Sequence, residues 1–315
     1  MIRLNLFFCL LIALASCKTN RLIIKNTAQE TGYCYPAVHY KFDSSYTPIK
    51  DISPFLNDEV LVDNYSKHDI LLANYIGMLP ALKQLAHLQK ERPLNSEKKI
   101  IMLEEREKII DRLLLGSIVV SSISAELDCE GERASQLASF MEDDENKRIT
   151  KLTALSIVVG AAAGVLTNVL NQGNTYYSIG VGGGVASGLL ALATLSKNKK
   201  VQFYHNRNML TELWYGTDSS AIFPPFVWYI FNDNEFSNDK VYPMCHNIKE
   251  RWEKFGRLGK EGTKNRKKQI DLIFGKGGKY NADQLQIRAD MLDQLQSYIR
   301  LLNQDLESLI IAVSR

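Results

Sequence analysis

The residues of this 315-residue chain best able to do chemistry are its five cysteines, its five histidines and two runs of like charge. Their spacing limits what that chemistry is. His39, His68, His87, His205 and His246 are scattered without an H-x-x-x-H pair, so they supply neither a metal-ligand set nor a base beside a nucleophile. Cys9, Cys17, Cys34, Cys129 and Cys245 contain no C-x-x-C, which removes the usual structural-zinc and dithiol arrangements. Glu142, Asp143, Asp144 and Glu145 carry enough oxygens to hold a divalent cation, but a solvated acidic helix end has the same composition. From Lys249 to Lys279 eleven Lys or Arg stand against four Asp or Glu, a local excess suited to anionic headgroups or phosphorylated glycolipid, or to a plain solvated face. The stretches GRLGKEGTK and GKGGK miss the phosphate-loop pattern G-x-x-x-x-G-K-[ST], and no apolar strand leads into either. We therefore expect a protein that is not an enzyme, with no cofactor and no metal site. The net charge of +3 lacks the strong basic excess of a nucleic-acid binder.

One cysteine does sit in a context with chemistry attached. Arg3, an apolar run from Leu4 to Leu14 and small residues after it have the layout of a secretory signal. The run is too short for a spanning helix, which needs roughly 20 residues. Leu14-Ala15-Ser16-Cys17 resembles the lipobox of bacterial lipoproteins, over about the first 17 residues of the chain. The resemblance implies a signal peptide over 1–16, cleavage before Cys17 and a lipid on that cysteine. Removal of Cys9 and acylation of Cys17 would leave three cysteines in an oxidising compartment, enough for one disulfide and one free thiol. Spacing does not select the pair.

The elements that must position these residues are helices. The fold class expected is all-α, an elongated helical bundle or coiled coil with a hydrophobic hairpin. After a tether and irregular segment over 17–64, long amphipathic helices are expected over 65–151. Ser66 to Lys90 repeats apolar residues at helical spacing, with a kink expected at Pro80. Asn95 or Ser96 caps a second helix whose Leu103, Ile110, Leu114 and Ile118 form an apolar face opposite Glu104 and Lys108. Gly116 and the DCEGE stretch around Gly131 are candidate breaks in it; without them the helix runs on into the apolar segment. A region over 197–280 follows, aromatic and basic. Its Trp214, Tyr215, Phe223, Phe226, Trp228, Tyr229 and Phe231 suit the core of a small helical cap or, alternatively, an interfacial aromatic surface or partner site, and its glycines suit a flexible link before Asn281. Over 281–315, Leu292, Leu295, Ile299, Leu302, Leu306, Leu309 and Val313 alternate spacings of 3 and 4, a heptad seam. Its partner is either the helix after Asn95 or a second copy of the chain.

Residues 152–196 are the outlier: from Leu152 to Ser196 only uncharged side chains follow the last cation, Lys151. Leu152 to Leu170 and Tyr176 to Leu195 flank the turn-prone NQGNT, and each half rises to roughly the 30 Å of a hydrocarbon layer. Lys147, Arg148 and Lys151 precede the hairpin and Lys197, Lys199 and Lys200 follow it, so both roots lie on one side. Gly180, Gly184 and Gly188 form one four-residue repeat, and Ser156, Gly160 and Gly164 form another, the pattern that lets helix backbones approach in lipid. Two placements fit, a buried helix pair inside a soluble bundle and a hairpin in membrane lipid. The second is favoured, because each helical glycine costs about 1 kcal/mol in water unless close packing offsets it.

The hairpin is similar to the glycine-zipper segments of some bacterial outer-membrane lipoproteins, over about 45 residues. The layout also resembles helical-bundle pore-forming cytolysins, by arrangement alone. With Cys17 outside the inner membrane, basic hairpin flanks oppose the positive-inside preference there, which points to the outer membrane. The expectation is a lipid-anchored envelope protein with a structural, assembly or transport-support role, whose partners are membrane lipid and either further copies or a helical protein. The alternative is a pore former or effector whose hairpins line a channel.

Overall fold

Helix dominates because proline, the strongest helix breaker, is missing between Pro93 and Pro224. The computed structural model describes residues 34–35, 48–91, 93, 95–169, 174–194 and 199–315, and only the backbone of helical residues 166–169 and 174–181. It is 75% helical, a nearly all-α bundle. The elements in chain order are α1 (Ser53–Leu56), α2 (Glu59–Asn64), α3 (Lys67–Tyr75), α4 (Leu79–Lys90), α5 (Ser96–Val169) and α6 (Asn174–Thr194). Then come β1 (Val201–Tyr204), α7 (Met209–Tyr215), α8 (Pro225–Phe231), α9 (Met244–Phe255), α10 (Lys264–Phe274), β2 (Gly277–Tyr280) and α11 (Ala282–Ser314).

α5 is the shaft of the molecule, 74 residues without interruption and therefore roughly 110 Å long. Asn95 starts it, its Oδ1 accepting from Lys98 N at 2.8 Å. Neither expected break occurs, and both glycines face α11. A Cβ on Gly116 would make ordinary contact with Leu306 at 3.5 Å, whereas one on Gly131 would come 2.8 Å from Asp293 Oδ1, so only Gly131 is held by close packing. α11 runs antiparallel along the shaft: Ser117 Oγ donates to Asn303 Oδ1 at 2.9 Å, and Gln296 Nε2 donates to Asp128 Oδ1 at 2.9 Å. The seam from Leu292 to Val313 is buried along its whole length, against the shaft of the same chain.

The shaft buries a different face from the one its apolar content suggests. Ile109, Leu113, Gly116 and Val120 face the core, while Leu103, Leu114 and Ile118 are exposed and Ile110 is half-buried. Which face turns inward is decided by where α11 and α4 pack, and Glu105 is accepted there because Lys108 pairs with it at 2.7 Å. The expected kink at Pro80 is a full break. Gly77 adopts φ 78° between α3 and α4, and Pro80 falls in the first turn of α4, where its missing N–H leaves no bond unmade.

The second departure from pure helix is a two-stranded antiparallel ribbon, with Val201 opposite Tyr280 and Tyr204 opposite Gly277. The GKGGK segment, expected as a flexible link, is its second strand. Gly277 is required there, because at φ 87° a Cβ would come 2.4 Å from Phe203 O. The aromatic region is core, as its composition suggests: Trp214 stacks on Phe274 at 4.2 Å and Phe223 on Trp228 at 5.9 Å. Tyr215 and Tyr229 keep exposed faces.

Candidate membrane-inserting hairpin

The C-terminal quarter of α5 and the whole of α6 stand away from this core as a helical pair. α5 contains one stretch long and apolar enough to cross a membrane, and none of that stretch is buried. Among the described side chains Ile157, Val165, Leu189 and Leu192 are each more than 60% exposed. For a protein in water that is a large unsatisfied apolar surface, of the kind that marks a membrane or protein contact.

The two legs meet through small residues, but one position away from the repeat read in the sequence. A Cβ on Gly183 would fall 2.2 Å from Ala163 Cβ, and one on Gly160 would lie 3.8 Å from Ser187 Cβ. Gly160 is thus at the contact. A Cβ on Gly164, Gly184 or Gly188 would meet no atom of a described residue within 4 Å, and Gly184 and Gly188 lie off the contact made by Gly183 and Ser187. The row Gly180, Gly184, Gly188 is a real i,i+4 face, but the run Gly182-Gly183-Gly184 offers several faces, and the legs' crossing selects that of Gly183 and Ser187. Ser156 Oγ bonds back to Thr153 O at 2.8 Å. The side chain of Gly180's neighbourhood, Tyr176 and Tyr177 included, lies outside the described residues, as do Cys17 and Lys197.

At the hairpin root the shaft passes from acidic to basic. Glu142, Glu145, Asn146 and Lys199 line a small cleft with Asn281, Ala282 and Asp283, where the N-terminus of α11 abuts the shaft. Asp144, one of the acidic quartet, is paired with Lys199, which accounts for one of those carboxylates without a metal. Lys147, Arg148 and Lys151 occupy the last turns before Leu152. The polybasic segment runs from α9 through α10 into β2: Lys264, Lys267, Lys268 and Lys279 are exposed, while Arg266 is held in a two-pronged pair with Glu253 at 2.6 and 2.7 Å.

Below the root the shaft carries the one disulfide among the described residues, Cys34–Cys129, leaving Cys245 as a half-buried thiol whose pKa is raised by burial. Sequence reasoning allowed for one bridge and one thiol; the choice of Cys34 and Cys129 depends on a chain path no spacing reveals. Around the bridge lies a cluster of buried charge that sequence reasoning missed. Arg207 Nε lies 3.0 Å from Glu126 Oε1, Arg133 Nη2 lies 2.8 Å from Glu130 Oε2, and Arg133 sits 4.0 Å over the Phe203 ring. Arg288, on α11 one turn before Leu292, is fully enclosed and donates from Nη1 to Asn208 Oδ1 at 3.1 Å and Ile273 O at 2.9 Å. Burial lowers its pKa. His205 Nε2 is 3.0 Å from Tyr280 Oη, and burial together with the Arg288 and Arg133 guanidiniums pulls its pKa down to about 2.

His39 lies outside the described residues, and the other three histidines, His68, His87 and His246, make local contacts. His68 bonds Asp305 at 3.0 Å, which raises its pKa, and His87 bonds Asp58 at 3.0 Å. His246 stacks on Tyr242. These contacts tie elements together; none assembles a nucleophile, a base and an oxyanion donor around one cavity.

No family model matches this chain, and neither a curated protein nor a solved structure matches it.

Proposed function

We propose that this chain is a lipid-anchored protein of a bacterial envelope that inserts the α5–α6 hairpin into the outer membrane and uses the rest of the molecule as a rigid scaffold for assembly or transport. One observation carries the reading: among the described residues, the stretch long and apolar enough to cross a membrane has none of its length buried. A soluble bundle would enclose that stretch. Cys17 is the proposed lipid attachment site, on the lipobox resemblance of Leu14 to Cys17. The Cys34–Cys129 bridge supports an oxidising compartment. Lys147, Arg148 and Lys151 stand where anionic headgroups would meet the root of an inserted hairpin.

The test is protease digestion of intact cells and of isolated membranes. Protection of a fragment containing residues 152–196 in membranes, lost on detergent addition, is the expected result. Cleavage within that fragment in undisturbed membranes would refute insertion.

A second reading, in which several hairpins gather into a channel, draws on the outward placement of Gly184 and Gly188, which leaves a small-residue strip for a neighbouring hairpin. Leakage of dye from liposomes by the purified protein, abolished by Gly184→Leu, would select it; intact liposomes at saturating protein would remove it.

A further inference from the structure

The fold brings the lysines of α10 to the end of the body from which the hairpin leaves, and we infer that they form a basic foot that rests on anionic phospholipid headgroups around the inserted hairpin. This rests on the membrane-inserting reading above and gives the body a lipid preference of its own.

The ribbon gives the direction along the shaft. Tyr204, opposite Gly277, meets the shaft at Arg133, whose Nη2 reaches Tyr204 O at 3.3 Å, while Lys199, just before β1, pairs with Asp144. β2 therefore climbs toward the hairpin root, and α11 starts near that root and descends, its first residues sharing a cleft with Glu142, Glu145 and Asn146. α10 lies beside α11 in the same sense. Its Ile273 O accepts from Arg288 Nη1 at 2.9 Å, and one turn nearer the root its Gln269 Oε1 accepts from Gln284 Nε2 at 2.7 Å. Continued straight, the helix carries Lys264 roughly 7 Å beyond Gln269, to about the height of Asn281. From Asn146, in the cleft with Asn281, the shaft rises about 9 Å to Leu152. That rise is comparable with a Debye length of about 8–10 Å, so headgroups that meet the hairpin at Leu152 lie within electrostatic reach of α10.

The charge on α10 is placed where the helix itself has least use for it. Lys264, Lys267 and Lys268 are exposed at spacings of three and four, so they share one side of the helix. Its first turn contains no acidic residue, although the positive end of a helix dipole favours acids there. Thr263 is the cap, its Oγ1 accepting from Arg266 N at 3.2 Å, and the neighbouring Glu253 is taken up by Arg266. The acids at this end, Glu142, Asp143, Glu145 and Asp283, sit at the height of the cleft, whereas Lys147, Arg148 and Lys151 stand on the shaft beyond it, nearer Leu152. Cations of three separate segments, the shaft, α10 and Lys279 of β2, thus gather toward the root, and a sheet of headgroup phosphates is the counter-charge that meets all of them at once. Each lysine near such a surface raises partition onto it roughly fivefold, so the three on α10 add roughly a hundredfold to a hairpin already seated and hold the body only weakly without it.

The experiment measures binding of full-length Cys17→Ser protein, so that no acyl chain hides the effect, to vesicles of phosphatidylcholine alone or mixed with phosphatidylglycerol. Two variants remove equal charge from opposite ends: Lys264→Gln, Lys267→Gln and Lys268→Gln together on α10, and Lys90→Gln, Lys98→Gln and Lys99→Gln together beside the start of the shaft, roughly 80 Å from Leu152. On vesicles with phosphatidylglycerol the α10 variant should bind roughly a hundredfold more weakly than its parent and the far-end variant within about twofold of it. On phosphatidylcholine all three should bind alike, and salt at about 1 M, where the Debye length is about 3 Å, should erase the difference on the anionic vesicles. An α10 variant that binds anionic vesicles like its parent, or an equal loss in the far-end variant, overturns the inference. Protease protection of residues 152–196 on the same vesicles separates the two ideas. Protection that persists when the α10 variant shows no loss keeps the insertion reading and removes the foot; no protection on either vesicle at saturating lipid removes the insertion reading, and the foot around the hairpin falls with it.

Discussion

His205 is a weak point on acidification, and its contacts say why. It is enclosed beside Arg288 and Arg133, and its folded pKa of about 2 lies far below the 6.5 of an exposed histidine. The unfolded chain therefore takes up a proton near pH 6.5 that the folded chain refuses. The stabilisation is complete above that pH and is lost as pH falls from about 6.5 toward 2, at up to about 1.4 kcal/mol per pH unit. His68 works in the opposite sense. Its bond to Asp305 raises its pKa, so its contribution is complete below the unfolded value and lost as pH rises through the folded one. Denaturant unfolding between pH 4 and 6 should show wild-type stability falling with acid and His205→Gln falling less steeply; equal slopes would assign the acid sensitivity elsewhere. The same scale separates adjacent glycines of the hairpin. Gly183→Leu must push the legs apart by about 1.5 Å to restore normal carbon contact with Ala163, whereas Gly184→Leu meets open space. Spin labels placed on the two legs should report wider spacing for the first variant alone.

At the scale of elements, what could be read from the sequence was periodicity, and what could not was the identity of the packing partner. The seam from Leu292 to Val313 was legible because seven apolar residues keep one face for more than three turns, and all seven are buried. The facing surface of the shaft was not legible, because Leu103, Leu114 and Ile118 make an apolar stripe of their own and yet are exposed. Gly116 and Gly131 carry the same lesson. A glycine inside a helical pattern marks a break or a close contact, and only the position of α11 tells which. The ribbon escaped notice because β1 and β2 are four residues each and β2 is half glycine. A sharp consequence remains at Leu301 and Leu302. Leu302 is 1% exposed in the seam and its neighbour Leu301 is 45% exposed. Leu302→Arg buries a charge without a partner and should cost more than about 4 kcal/mol, while Leu301→Arg should stay within about 0.5 kcal/mol. Chemical melts of the two variants that coincide would contradict the packing of α11 on the shaft.

The whole molecule is polarised along its shaft. α1 to α4 and the C-terminal half of α11 pack around the first half of α5, the ribbon and the aromatic cap join near its middle, and the uncovered hairpin forms the far end. That polarity was readable from charge alone, since the run without charged residues and its basic flanks are contiguous in sequence. The buried cluster of Arg133, Arg207, Arg288 and Glu130 was not, because its members come from three distant elements and are ordinary surface residues by type. On the proposed reading, membrane residence has two sources, the lipid on Cys17 and the hairpin, and their free energies combine because both belong to one chain, which makes the second event intramolecular. A single acyl chain would hold a protein only marginally, with an association constant of roughly 10⁴ per molar, whereas the two or more chains of the proposed lipoprotein anchor hold it stably. Flotation of membranes on a density gradient tests this as a set of four proteins. Wild type should float completely. Cys17→Ser should divide between membrane and supernatant, a variant with residues 152–196 replaced by a Gly/Ser loop should still float on its acyl chains, and the combination should leave the membrane entirely. Complete release by Cys17→Ser alone would make the hairpin a partner surface in water and not a membrane element, whereas complete retention of the double variant would place the membrane contact on the body, with the lysines of α10 as the first residues to examine.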